Sequence, residues 1–205
     1  INTRQGCRKI VRFAFDFAVK QGRKKVTVVH KANIMKALTG IFLETAQQMY
    51  KDQYQGKFEC EEVIIDACAM KLVMNPQEFD VVVTTNLFGD ILTDEGAGLV
   101  GGLGLAPGLC VGEHHAMAQA THGSAPDIAG KGIANPYAMI VSGKMLLEWL
   151  GRKHNERQAV EAAKSIEAAM EKVIAEAKHL TPDLGGKATT AQMGDAVVQA
   201  LPTFA

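Results

Sequence analysis

The chain has 205 residues, enough for a sizeable core and one or two domains, and its 47% hydrophobic and 21% charged residues are ordinary for a globular protein. Basic and acidic side chains number 22 each, so the formal net charge is zero and there is no broad basic field to steer nucleic acid or an acidic membrane. Four scattered cysteines (Cys7, Cys60, Cys68, Cys110) form no C-x-x-C pair and predict reduced, buried thiols in a cytosol-like compartment.

Ile10, Val11, Phe13, Ala14, Phe17 and Ala18 recur at helical spacing, predicting an amphipathic helix over about residues 7–20 that Gly22 ends. KVTVVH (Lys25 to His30) is β-branched and reads as a strand, followed by a helix over about residues 34–50. Phe58 to Asp66 reads as a second strand, and Cys68 to Met74 as a short helix broken by Asn75-Pro76. FDVVVTT (Phe79 to Thr85) is an apolar run of the kind buried on both sheet faces, and Leu87 to Leu99 looks helical. The alternation predicts an α/β architecture. Gly96 to Gly112 is uncharged but too glycine-rich for a membrane span, and reads as a crossing between two domains, divided as residues 1–100 and 101–205. A loop from His114 to Asn135 precedes a helix starting near Pro136, a long helix over about residues 156–178, and a last helix capped by Thr189 or Thr190. The remaining methionines and phenylalanines fall at core spacing. The opening Ile1-Asn2-Thr3-Arg4 enters a helical pattern at once, so a longer protein with a substantial further N-terminal part is expected.

Asp90 and Asp94 in NLFGDILTD lie four residues apart, so on a helix both carboxylates project from one face, just beyond the carboxyl end of a strand. Two hard oxygen ligands there suit Mg²⁺ or Mn²⁺, although the spacing also describes a solvated helix face. Asp66 ends EEVIID and could equally cap the next helix. Lys31, at the end of KVTVVH, can reach a crevice and bind a carboxylate or exchange protons, or can simply be solvated; Asn33 nearby is not diagnostic. His122, Gly123, Ser124, Ala125 and Asp127 stand in a small-residue loop (HGSAPD) that lets backbone approach a flat ligand, while a tight turn explains the same letters. Gly96 to Gly101 spells G-x-G-x-x-G, but at the end of a helical stretch rather than between a strand and a helix, so it is rejected as a dinucleotide fingerprint. His114-His115 lacks a third ligand and reads as solvated loop.

Taken in order, HKANIMK (His30 to Lys36), IIDACAMKLV (Ile64 to Val73), NLFGDILTD (Asn86 to Asp94), GLVGGLGLAPG (Gly98 to Gly108) and HGSAPDIAGKGIANP (His122 to Pro136) resemble the isocitrate and isopropylmalate dehydrogenase family over essentially the whole chain. The resemblance implies the family's two-domain α/β fold, of which this chain is a C-terminal fragment: residues 1–100 the remainder of a small substrate and dimerisation domain, 101–205 part of a large cofactor domain. It implies that Lys31 is the catalytic lysine and Asn33 its neighbour toward substrate and nicotinamide. Asp66, Asp90 and Asp94 would be the metal-binding aspartates, with Asp66 and Asp90 at the reacting centre. Lysine and first aspartate would be donated across a homodimer interface, so that active sites are shared. His122, Gly123, Ser124, Ala125, Asp127 and Asn135 would bind the adenosine of NAD, with Asp127 disfavouring the 2′-phosphate of NADP.

The implied activity is NAD-linked, Mg²⁺- or Mn²⁺-assisted oxidative decarboxylation of isocitrate, with homoisocitrate and isopropylmalate as alternatives; the compartment implied is the cytoplasm, or the mitochondrial matrix in a eukaryote. A non-catalytic regulatory subunit is a further alternative, but such subunits degrade the aspartates or the HGSAPD loop, which are intact here. The family's general-acid tyrosine is expected upstream, with Asn2 at the nearest position, as are the serine and arginines that grip the substrate. Just before the cofactor loop, Gln119-Ala120-Thr121 departs from the family's usual glutamate followed by proline or alanine.

Overall fold

The structure, a computed structural model, describes residues 2–202. The chain forms two compact units that part between Gly96 and Ala97.

In the first unit, helix α1 (Arg4–Lys20) precedes strand β1 (Lys25–His30), helix α2 (Ile41–Met49), strand β2 (Glu59–Ile64), helix α3 (Ile65–Met74), strand β3 (Val81–Val83) and the start of helix α4 (Asn86–Val100), which runs on past Gly96. The strands form a parallel sheet in the order β2-β1-β3, with His30 opposite Ile64 and Val28 opposite Val83. Helix α1 starts three residues before the expected Cys7, because the Thr3 hydroxyl accepts the Gly6 N–H at 3.1 Å and caps the first turn. Its buried face is Cys7, Val11, Ala14, Phe15 and Ala18, while Ile10, Phe13 and Phe17 point outward, contrary to a core role for every phenylalanine. Phe15 anchors an aromatic cluster with Tyr50, Tyr54 and Phe58, with its ring 5.1 Å from that of Tyr54. The expected helix over residues 34–50 is α-helical only from Ile41, with single π-type segments at Lys36–Gly40 and Tyr50–Tyr54.

On the other side of β1, Val29 packs with Cys68 of α3 and Leu92 of α4. The run expected as a strand over Phe79 to Thr85 shortens to β3 and is not buried on both faces: β3 is the sheet's edge, and Val82 is 37% exposed. Strand β2 ends at Ile64, so Asp66 lies in the first turn of α3 rather than at the end of the strand.

The second unit contains strands β4 (Pro107–Val111) and β5 (Ala116–Ala120) and helices α5 (Tyr137–His154), α6 (Arg157–Glu176) and α7 (Thr190–Ala200). β4 and β5 form an antiparallel hairpin inside what reads as a glycine-rich crossing and a loop. The AMAQA sequence of β5 contains no β-branched residue; its conformation comes from pairing with β4 and from the buried Ser142 of α5. The Ser142 hydroxyl accepts the Gly108 N–H at 3.0 Å and donates toward the carbonyls of Gln119 and Ala138. Gln119 thus lies in regular hairpin backbone opposite Gly108. Ala169, Met170, Val173, Met193 and Val197 form the helical core, joined by Tyr137, Ile140 and Val141. Thr189 caps α7 in a reciprocal box with Gln192. The G-x-G-x-x-G letters run through the end of α4 to the turn at Gly101, without the strand-to-helix context of a phosphate loop. Among the described residues no helix is long and apolar enough to cross a membrane. Cys7 and Cys68 are buried and Cys60 half-buried, whereas Cys110 on β4 is exposed, against the expectation for all four.

Candidate active site

The carboxyl ends of the three parallel strands bring the first unit's candidate residues forward. Lys31 follows directly after β1, and the pairing of His30 with Ile64 sets it beside the start of α3. Its Nζ donates to Asp66 Oδ1 at 2.5 Å. The lysine side chain is only 21% exposed and the aspartate 69%, so the pair is open on the carboxylate side. The hydrogen bond from Lys31, reinforced by the Asp66 backbone N–H, holds the Asp66 carboxyl below its ordinary value of 3.8.

The turn carrying Lys31 is fixed by local bonds. Its N–H donates to Thr39 Oγ1 at 3.1 Å, and its carbonyl accepts the N–H groups of Ile34 and Met35. His30 is buried, and its Nδ1 accepts the Ala32 N–H at 3.0 Å, which assigns the proton of a neutral ring to Nε2. Asn33 is exposed at the tip of this turn. Asn2 is committed within the first unit, its Nδ2 donating to the Leu38 carbonyl at 2.6 Å.

Helix α4 begins three residues after β3, anchored where Thr84 Oγ1 donates to the Val29 carbonyl at 2.9 Å. Asp90 and Asp94 are both exposed on it, one turn apart. Leu87 and Ile91, also one turn apart, are 62% and 54% exposed, and Met70, Val73 and Met74 of α3 are exposed as well. Among the described residues, no three histidine, cysteine, aspartate or glutamate side chains stand close enough to hold one metal ion. Asp66 is paired with Lys31 and does not join Asp90 and Asp94 in such a group. As donors the three aspartates suit a hard divalent cation, but a single chain does not assemble them.

In the second unit the hairpin leads into the candidate cofactor loop, closed by the Thr121 N–H donating to the Ala106 carbonyl at 3.1 Å. His122, Gly123, Ser124, Ala125 and Asp127 are all exposed, and nothing lies within 4 Å of a Cβ placed on Gly123. His122 Nδ1 lies 2.9 Å from the Gly123 carbonyl. Ala125 is left-handed, with φ 45°, a strained setting for a residue with a side chain. A 3₁₀ turn at Pro126–Ile128 then presents Asp127. Asn135 is buried at the far end, its Oδ1 accepting the Tyr137 N–H and its Nδ2 donating to Asp183 Oδ2, each at 2.9 Å. Thr190 ties the same end to α7, its N–H donating to the Gly132 carbonyl and its hydroxyl to the Ala134 carbonyl. The supporting roles of Asp183 and Thr190 escape sequence reasoning, since each acts through a partner about fifty residues away, and Thr190 is legible only as a candidate cap.

The sequence profile of isocitrate/isopropylmalate dehydrogenases matches residues 1–197. The chain belongs to this family. It is 45% identical to a homoisocitrate dehydrogenase of Methanocaldococcus jannaschii, covering 96% of this chain and 53% of that protein. It is 49% identical to a 3-isopropylmalate dehydrogenase of Archaeoglobus fulgidus, covering 97% and 58%. A mitochondrial NAD isocitrate dehydrogenase catalytic subunit of Arabidopsis thaliana is 46% identical, covering 96% and 50%. The crystal structure of isocitrate dehydrogenase from Methylococcus capsulatus superposes with a TM-score of 0.90 at 49% identity, covering 98% of this chain and 57% of that one. The chain thus spans about half the length of the curated relatives it matches.

Proposed function

We propose that the protein containing this chain catalyses the metal-dependent oxidative decarboxylation of isocitrate to 2-oxoglutarate with reduction of NAD. The observation that carries this reading is the set of charged residues at the carboxyl ends of β1, β2 and β3: an ammonium paired with one carboxylate, and two further carboxylates one turn apart. The chain's membership of a family of β-decarboxylating dehydrogenases supports it.

The three aspartates match a divalent cation in chemistry but do not come together as one ligand group within the described residues of one chain. We propose that a second copy completes the site, with Lys31 and Asp66 of one subunit meeting Asp90 and Asp94 of the other. The exposed apolar side chains on α3 and α4, beside these carboxylates, support burial against such a copy. When bound, Mg²⁺ or Mn²⁺ supplies Lewis-acid polarisation of the substrate's hydroxyl and adjacent carboxylate, and NAD supplies the hydride acceptor. Lys31 presents a fixed ammonium that stabilises the negative charge left on the substrate as carbon dioxide departs. Asp66 holds that ammonium in place and keeps its own charge through the neutral range. Asn33 faces the substrate and nicotinamide. His122, Gly123, Ser124, Ala125 and Asn135 receive the adenosine, and Asp127 accepts from the ribose hydroxyls while repelling a 2′-phosphate. The working compartment is one that keeps thiols reduced, cytosol or mitochondrial matrix.

Relatives named for homoisocitrate and isopropylmalate make those 2-hydroxy acids the second reading. Steady-state assays of the full-length protein on all three acids, with Mg²⁺ and either NAD or NADP, test both. Preferred turnover of isocitrate with NAD is expected. Turnover of none of the three refutes the enzyme reading, and a preference for NADP refutes the role of Asp127.

A further inference from the structure

We infer that Asp183 is a positioning residue for the adenosine side of the cofactor site, holding the carboxamide of Asn135 in one setting. This rests on the proposed reading of His122 to Asn135 as that site.

The Asn135 carboxamide is buried and bonded at both ends, its oxygen to the Tyr137 N–H and its nitrogen to Asp183 Oδ2. An ionised carboxylate only accepts hydrogen bonds, so Asp183 dictates which end of the amide faces it and excludes the flipped setting. Asp183 is itself held. Its other oxygen accepts the hydroxyl of Thr181 at 2.5 Å, and Thr181 is fully buried. The Thr181 carbonyl accepts the N–H groups of Leu184 and Gly186, each at 3.0 Å, closing the turn that presents Asp183.

A third segment meets the pair. A Cβ on Gly104 would lie 2.9 Å from Asp183 Oδ2 and 3.2 Å from Asn135 Cβ, so glycine is what lets the Leu103–Leu105 turn pass against them. Together with Thr190, these contacts tie the end of the loop to the segment leading into α7. The tip from His122 to Asp127, by contrast, is exposed, and His122 Nδ1 meets the Gly123 carbonyl within its own turn. Asp183 therefore supplies a fixed point at the buried end of a loop whose exposed residues can read a purine.

The test is steady-state and binding analysis of full-length variants with NAD. Asp183→Ala is expected to raise both the KM and the Kd for NAD about tenfold, with kcat and the KM of the hydroxy acid within about twofold. Asp183→Asn, whose amide oxygen can still accept from Asn135, is expected to restore NAD affinity to within about threefold of wild type. Gly104→Ala leaves every polar group present but displaces the carboxylate, and is expected to reproduce the Asp183→Ala defect. In an Asn135→Ala background, Asp183→Ala is expected to add nothing.

An unchanged NAD affinity in Asp183→Ala overturns the inference, as do additive effects in the double variant. Parallel loss of kcat, both KM values and thermal stability also overturns it, because a merely structural role has that signature. If Asp183→Asn fails as badly as alanine, the charge rather than the orienting bond is what matters, and the inference falls. A wild type that binds NAD but turns over none of the three acids sinks the enzyme reading alone, leaving the Kd series to decide the role of Asp183. A wild type that binds no NAD overturns both.

Discussion

Two glycines on α5 respond to the same substitution with opposite signs. Gly151 is buried where α5 turns into α6, and a Cβ there would stand 2.7 Å from Val160 Cγ2, 2.9 Å from the Glu156 carbonyl oxygen and 2.9 Å from the Val160 amide nitrogen. Two of these three neighbours are backbone, fixed by the Glu156 N–H donating to the Gly151 carbonyl at 2.8 Å, so they cannot rotate away. Alanine gains about 1 kcal/mol over glycine in a helix interior, and less near an end. Forcing a methyl group into a closed crossing costs about 1–3 kcal/mol. The backbone overlaps place the cost in the upper part of that range, so Gly151→Ala is expected to destabilise by about 1–2 kcal/mol. Gly143 lies two turns earlier, with nothing within 4 Å of a Cβ, and Gly143→Ala is expected to stabilise by up to about 1 kcal/mol. Urea unfolding of full-length variants, followed by circular dichroism, gives both signs in one assay. A Gly151→Ala midpoint at or above wild type refutes the packing argument.

Asp90→Asn is expected to lower Mg²⁺-dependent turnover at least about a hundredfold while the circular dichroism spectrum stays native; full activity removes Asp90 from the site. For the Lys31–Asp66 pair, the folded carboxyl titrates below its unfolded value, so the pair's contribution is present above the unfolded value and is lost as pH falls through the lower, folded one. Carbon-detected titration of Asp66 is expected to show a midpoint below 3.8 that returns toward 3.8 in Lys31→Ala, and an ordinary midpoint in the wild type contradicts the pairing. Burial, helped by the hydrogen bond to Asp16, pushes the Tyr54 hydroxyl up to about 12. Ultraviolet titration is expected to find one tyrosine ionising well above the rest, and Asp16→Asn is expected to lower it.

Local periodicity and turn residues made much of the first unit legible. Lys25 to His30, bounded by Gly22 and a lysine, forms the expected strand. The site residues were legible by type and position, since Lys31 and Asp66 follow apolar strands and Asp90 and Asp94 share one helix face. Their grouping was not, because only the parallel register of β1 on β2 sets Lys31 against Asp66. The β4–β5 hairpin was hidden for a similar reason: Gly108 and the alanines of β5 have little strand preference, and Ser142, more than twenty residues away, holds them. The short exposed β3 misled because an apolar run looks the same at a sheet's edge as at its centre.

The most direct test of the shared site is complementation between two inactive full-length variants. If Lys31 of one subunit serves the same centre as Asp90 of its partner, then in a hybrid of Lys31→Ala and Asp90→Asn subunits one centre carries both defects and the other carries neither. Random mixing makes about half the dimers hybrids, so co-expression is expected to restore about a quarter of wild-type activity from two preparations that are each inactive. Activity no higher than that of the separate variants contradicts a centre shared between two copies of this chain.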